Sequence, residues 1–400
     1  MRNIYRYAPA GLAFAAHGAA AMELDTLIPA GIPGLGQPTP LSVISRAPLM
    51  DQPLPIQLGG LSIDPRLAAG AGYDSAPNGA AAGTQRLSLQ PSLAAADPAL
   101  GFGAYAGGNL ASYPATPSQN TQNVTLAAGE EAVLAQQTLS LAGGYVQGDE
   151  TGFALSPIAL PKPVAYNFAA LTAGDKITAG MFTLAPQLSV TDARFNLYPA
   201  QNFTQLRGRF GLDFTPGGPA RLVTLFEATQ SQYRNQAYDS GSYTALAGIE
   251  DDATGLWDFR ALAGAALRLP RTGAVIAAPV LEAAATWLPT ELDNLSASVA
   301  REIDDPDQIG PTAYTLTQAS LSYTHEATEN IDLSGLLTAS NAAYFGSRQT
   351  ETLFNAGLTL AWHVNSAIAF DAGYTFNDRQ ANFLPAANEH TVTFSAVWTP

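Results

Sequence analysis

Between Phe354 and Trp398 apolar residues fall on every second position: Phe354, Ala356, Leu358, Leu360 and Trp362; Ile368, Phe370, Ala372, Tyr374 and Phe376; Val392, Phe394, Ala396 and Trp398. Small or polar residues such as Asn355, Gly357, Thr359, Asp371, Gly373, Thr375, Thr393 and Ser395 stand between them. A period of two puts the two sets on opposite faces of an extended strand, so each segment has one apolar and one wet face. Strands of about nine or ten residues suit a tilted crossing of a bilayer. The link beginning at His363 is a short turn, whereas Asp378 to Glu389 reads as a long loop. Together these features predict an all-β chain: a transmembrane, antiparallel, up-and-down β-barrel with short periplasmic turns and longer extracellular loops.

The same alternation sets in at Gly60 and continues to the end, with strands expected, for instance, at Leu61–Asp74, Phe203–Phe214 and Thr350–His363. It gives about eighteen strands, or sixteen, because the stretch from Glu130 to Ser140 contains no clear turn. Short connections are expected at Asp97–Leu100, Ala173–Lys176, Thr215–Pro219, Asp251–Gly255 and Glu326–Asn330, where Gly, Pro, Asp and Asn supply turn geometry. Long ones are expected at Asp149–Lys162, Arg234–Gly241 and Asp304–Pro311. Eighteen strands spaced about 4.8 Å and tilted about 40° close at a diameter of roughly 36 Å. Wall side chains alone cannot fill that width, so the interior is an aqueous channel or is plugged by a loop or the N-terminal arm.

Composition agrees. Charged residues are 13% of the chain, against roughly 25% in soluble domains. No run of about 18 apolar residues occurs, which excludes a helical membrane protein. Without cysteine there is no disulfide, thiolate metal site or cysteine nucleophile. A net charge of −15 opposes binding to nucleic acid. Residues 1–21 read as a signal peptide: Arg2 and Arg6, an apolar run from Ala8 to Ala16, then Ala19–Ala21 as a small-residue cleavage site. Residues 22–59 carry Pro29, Pro33, Pro38, Pro40, Pro48, Pro53 and Pro55 and form a Pro-rich periplasmic arm, read first as a plain linker, with a tether, a plug or a docking segment for a partner as alternatives. Residues 60–400 are the barrel.

Strand parity separates lumen from lipid. Leu206, Phe210, Leu212 and Phe214 face lipid, which turns Arg207, Arg209 and Asp213 inward; Trp257, Phe259 and Leu267 face out, which turns Asp258, Arg260 and Arg268 in. The same count places Asp332 and Asp371 in the lumen. A charge on the lipid face at mid-membrane costs roughly 2–4 kcal/mol, so the assignment is physically forced. Charges in a wet lumen are expected to pair with one another. Height along the strands places Trp257, Trp287, Trp362 and Trp398 at the short-turn end, and Tyr73, Tyr113, Tyr145, Tyr233 and Tyr344 at the other, as two aromatic girdles.

Several stretches resemble a known family. Ser45-Arg46-Ala47-Pro48, the run Pro53–Gly60, Ile63–Leu67 and Gly70–Pro77 are similar to the start of the family termed putative β-barrel porin 2, outer-membrane proteins of Gram-negative bacteria. Tyr233–Tyr238, Asp239–Tyr243, Ala247–Glu250 and the hairpin Thr254–Gly264 fit the same pattern, so the resemblance runs from about Arg46 onward. It implies a channel, with some members linked to exopolysaccharide secretion, and it carries no catalytic residue.

An enzyme is not expected. His325 and His363 fall at the periplasmic rim and His390 at the outer one, so they cannot converge on one catalytic or metal site. The acidic run Asp304-Asp305-Pro306-Asp307 reads as a solvated loop rather than a calcium site. The expectation is therefore a porin-like channel for small solutes in a Gram-negative outer membrane, with an acidic bias towards cations or neutral compounds and no cofactor. An exit for exopolysaccharide and a closed structural or surface-binding barrel are the alternatives. Expected partners are outer-membrane lipid and lipopolysaccharide, the barrel-assembly machinery and, for export, periplasmic proteins.

Overall fold

The computed structural model describes residues 32–35, 55–79, 82–155, 160–251, 256–305 and 313–400. The predicted signal peptide and most of the arm lie outside them, as do residues 252–255 of one predicted turn. A short strand, β1 (Ile56–Leu58), precedes β2 (Leu61–Asp74), β3 (Thr84–Asp97), β4 (Phe102–Ser112), β5 (Thr121–Leu134), β6 (Gln137–Glu150) and β7 (Val164–Ala179). Then come β8 (Phe182–Phe195), β9 (Phe203–Phe214), β10 (Ala220–Tyr233), β11 (Ser240–Asp251), β12 (Trp257–Pro270) and β13 (Ile276–Trp287). The chain ends with β14 (Asp293–Asp304), β15 (Tyr314–Thr328), β16 (Ile331–Tyr344), β17 (Thr350–His363), β18 (Ile368–Ala381) and β19 (Ala387–Trp398).

From β2 onward each strand pairs antiparallel with the next, and β19 pairs with β2. The sheet is thus a closed barrel of eighteen strands, and closure leaves no long free edge. The β19–β2 seam runs from Thr391↔Asp74 to Trp398↔Leu67. Below it, β1 takes up the lower edge of β2 through a Gly59-Gly60 turn, pairing Ile56↔Ile63 to Leu58↔Leu61.

Several features of the strands and the arm differ from the sequence reading. Ala173–Lys176 is not a turn but part of β7; Asp175 accepts a hydrogen bond from Gln137 at 2.7 Å, and the chain reverses only at Gly180, whose φ of 61° provides the tight turn. Asp378–Glu389 is mostly strand, leaving residues 382–386 as the connection, because β18 and β19 continue their ladder through Arg379↔Ala387. The ambiguous stretch after Glu130 turns at Ala135, which adopts φ 54°. Finally, Ile32–Leu35 of the arm pack against the wall, where a plain linker is expected from the sequence. Ile32 and Leu35 are buried in one cluster with inward residues of β5 to β10, including Ala127, Ala142, Phe168, Phe195 and Tyr233.

Buried residues therefore collect on the lumen side of the wall. A second cluster spans β15 to β17 and a third spans β10 to β13. Leucine, phenylalanine and tryptophan side chains such as Leu206, Phe226, Leu358, Phe394 and Trp398 lie exposed on the outer side, as an apolar band facing lipid requires.

Candidate functional site

The inward positions of β9 to β13 form a belt of charge. Register sets it up: Arg209 stands opposite Glu227, and Arg221 opposite Glu250, which is opposite Arg260. The side chains then meet across the strands. Arg207 lies 3.6 Å from Glu227, Arg221 lies 2.5 Å from Glu250, and Arg260 reaches Glu250 at 3.8 Å and Glu282 at 3.1 Å. Opposite charges on neighbouring strands stabilise the pairing and keep cations and anions in alternation along the wall. Asp213 and Asp258 share this inward face near the short-turn end, opposite Thr183 and Thr286. Across the lumen, His363 bonds Asp332 at 3.2 Å, and Asp371 lies 3.9 Å from Arg66.

Arg268 is nearly inaccessible, and its guanidinium is 2.6 Å from Asp305. Asp305 also accepts hydrogen bonds from Tyr233 at 3.5 Å and Ser240 at 3.4 Å. Asp305, in the described part of the acidic run after β14, is therefore not a solvated loop residue: it turns inward because a buried guanidinium needs a carboxylate. Burial pushes the Asp305 carboxyl above the usual carboxylate range, against the lowering pull of Arg268. Asp307 lies outside the described residues.

Towards the outer mouth the lumen is crossed by the chain itself. After β6, residues 151–155 leave the wall, and Leu155 packs with Tyr314, Leu316, Tyr344 and Leu353 on β15 to β17. In a ring of eighteen strands, β15 is about half the circumference from β6. Arg379 of β18 donates to the Gly152 carbonyl at 2.5 Å, and Gln119 donates to the Pro161 carbonyl at 3.0 Å. Beside this bridge the Tyr113 hydroxyl donates to Asp74 at 3.1 Å, and Glu389 accepts from the Asn78 amide at 2.9 Å and from Asn377 at 2.7 Å. Burial raises the Tyr113 phenol above its ordinary range.

The structure places Arg207, Arg209, Asp213, Asp258, Arg260, Arg268, Asp332 and Asp371 on inward positions of their strands. The aromatic assignments divide. Trp257, Trp287, Trp362, Trp398, Tyr73 and Tyr145 are exposed on the outer side, with Trp257 and Trp287 stacked at 5.1 Å. Tyr113, Tyr233 and Tyr344 are not girdle residues: they sit at the predicted height but point into the lumen, where they are buried. The histidines do not converge. His325 bonds Asp293, His363 bonds Asp332 and His390 bonds Tyr374. Among the described residues no cluster of three or more His, Asp or Glu is arranged to hold a metal.

A family model described as Putative beta-barrel porin 2 matches residues 51–397. The chain belongs to this family. The family's description as a β-barrel porin agrees with the closed eighteen-strand ladder of this chain. No curated protein sequence matches the chain. Among solved structures, OccK1 (OpdK) of Pseudomonas aeruginosa aligns with a TM-score of 0.49 at 10% identity, over 86% of this chain and 100% of that one. OpdK of the same organism with vanillate aligns at 0.48 and 10% identity, over 84% and 99%. The FrpB iron transporter of Neisseria meningitidis (F3-3 variant) aligns at 0.44 and 9% identity over 80% of this chain, which spans 62% of that protein's chain. These are likenesses of general shape, and the fold rests on the closed ladder itself.

Sequence reasoning did not single out Glu227, Glu250, Glu282, Arg221 or Arg66, although the parity count used for their neighbours extends to each. It had no signal for Phe153 and Leu155 in the mouth, or for Ile32 and Leu35 below it. Their contacts lie far away in sequence.

Proposed function

We propose that this β-barrel porin 2 protein is a passive channel for small polar solutes across the outer membrane of a Gram-negative bacterium. The observation that carries the reading is the belt of paired charges on the inner wall of β9 to β13, facing a lumen that the closed barrel encloses. A wall meant only to be sealed has little reason to present ionised groups, since each must be desolvated when covered. The apolar outer band is in contact with lipid and lipopolysaccharide, and the barrel-assembly machinery inserts it. No part of this reading calls for catalysis. Export of a polysaccharide through the same lumen, with periplasmic partners, would require the bridge after β6 to move, because a polymer needs an unobstructed path along the whole axis.

The inward placement of Phe153 and Leu155, with Ile32 and Leu35, favours a second reading in which the barrel is closed. Current through protein reconstituted in a planar bilayer separates the two. Steady ohmic steps support the channel. A silent bilayer, from protein shown to be folded by its compact migration without heating, supports the closed barrel.

A further inference from the structure

We propose that the Ile32–Leu35 turn is a removable plug, seated in a notch of the lumen wall that Gly129 leaves open. The inference rests on the channel reading above. The Pro33 carbonyl oxygen occupies the space of a side chain at position 129: a Cβ there would lie 1.9 Å from it. Next to the notch, a Cβ on Gly34 would stand 3.2 Å from the Cβ atoms of Ala142 and Ser140, so the turn lies directly on β5 and β6. Ile32 and Leu35 are buried in the apolar cluster of the same wall.

How the turn is held differs from how the bridge after β6 is held. The bridge is continuous with two wall strands and is fastened by Arg379 and Gln119. The turn has one hydrogen bond, internal, from the Leu35 amide to the Ile32 carbonyl at 3.1 Å. Among the described residues it makes no hydrogen bond or ion pair to the wall. Withdrawing the bridge breaks polar contacts in a buried place, whereas withdrawing Ile32–Leu35 separates apolar surfaces and, among the described residues, breaks no hydrogen bond. The bridge is thus a fixed constriction and the turn a separable one.

Two variants of the full chain and one four-residue deletion test this. The chain has no cysteine, so Ser140→Cys, close in size to the native residue, supplies one thiol beneath the turn. A water-soluble maleimide is expected to label it slowly in the otherwise intact chain and faster once Ile32–Leu35 are deleted. Equal rates mean that the turn does not cover this wall and overturn the proposal. Gly129→Ala puts a methyl group in the notch, where it would stand 1.9 Å from the Pro33 carbonyl oxygen and 2.9 Å from the Ala142 Cβ, so the turn must give way farther than the wall. In planar bilayers it is expected to raise steady conductance as the deletion does, by about twofold or more if the turn narrows the path. Conductance identical in wild type, Gly129→Ala and the deletion overturns the plug but leaves the channel reading standing. Silence in all three, with the labelling difference intact, overturns the channel reading and the plug's role with it.

Discussion

Arg260 serves two carboxylates at once, Glu250 and Glu282, and is the cation in the middle of the belt. Replacing it with alanine leaves both acids on the wall without that partner. Arg260→Ala is therefore expected to shift the reversal potential in a salt gradient towards cation preference. Glu282→Gln is expected to shift it the other way. Because these side chains are partly exposed, the pairs contribute only about 0–1 kcal/mol each, and the unfolding midpoint of either variant should stay near wild type. Residues like these are legible in sequence because parity is local: knowing that Leu206 and Phe210 face out fixes Arg207 and Arg209. The same rule, applied to Tyr233 and Tyr344, would have turned them inward with Glu227 and Asp332. Height alone gave the wrong face, since both aromatic girdles and mouth residues stand near strand ends.

Among the elements, the bridge after β6 departs furthest from anything readable in the sequence. Its fastening depends on Arg379 meeting Gly152, residues 227 positions apart. No local pattern encodes that contact; it exists only once the ring is closed. A buried hydrogen bond from a charged donor contributes about 1.5–3 kcal/mol. Arg379→Met should accordingly loosen residues 151–155, seen as faster amide exchange there and as added flicker in single-channel current. Unchanged exchange would show that the packing of Leu155 and the Gln119–Pro161 bond hold the bridge without Arg379. The strands were far more legible. β2, β9 and β17 have the ends expected of them, because alternation and turn residues act within a few positions. Gly174, Asp175 and Lys176 misled for a related reason: polar residues close to an interface look like a turn, and only the partner strand shows that the ladder continues.

At the scale of the whole molecule, eighteen strands must meet end to start, and the seam is where that is decided. β19 approaches β2 so closely that a Cβ on Gly72 would lie 2.0 Å from the Val392 carbonyl oxygen. Gly72→Val is expected to force the seam apart, lowering the fraction that migrates as the compact form without heating and lowering its unfolding temperature. The architecture itself was readable because closure follows from strand number and alternation, whereas the contents of the lumen follow from tertiary contacts. One consequence of the seam is kinetic. Its rungs join residues more than three hundred positions apart, as in the pair Thr391↔Asp74, and loop closure over such a span is entropically slow. The barrel therefore cannot complete its ring until the last strand has been delivered, and until then both end strands are raw edges that must be shielded from pairing with another chain.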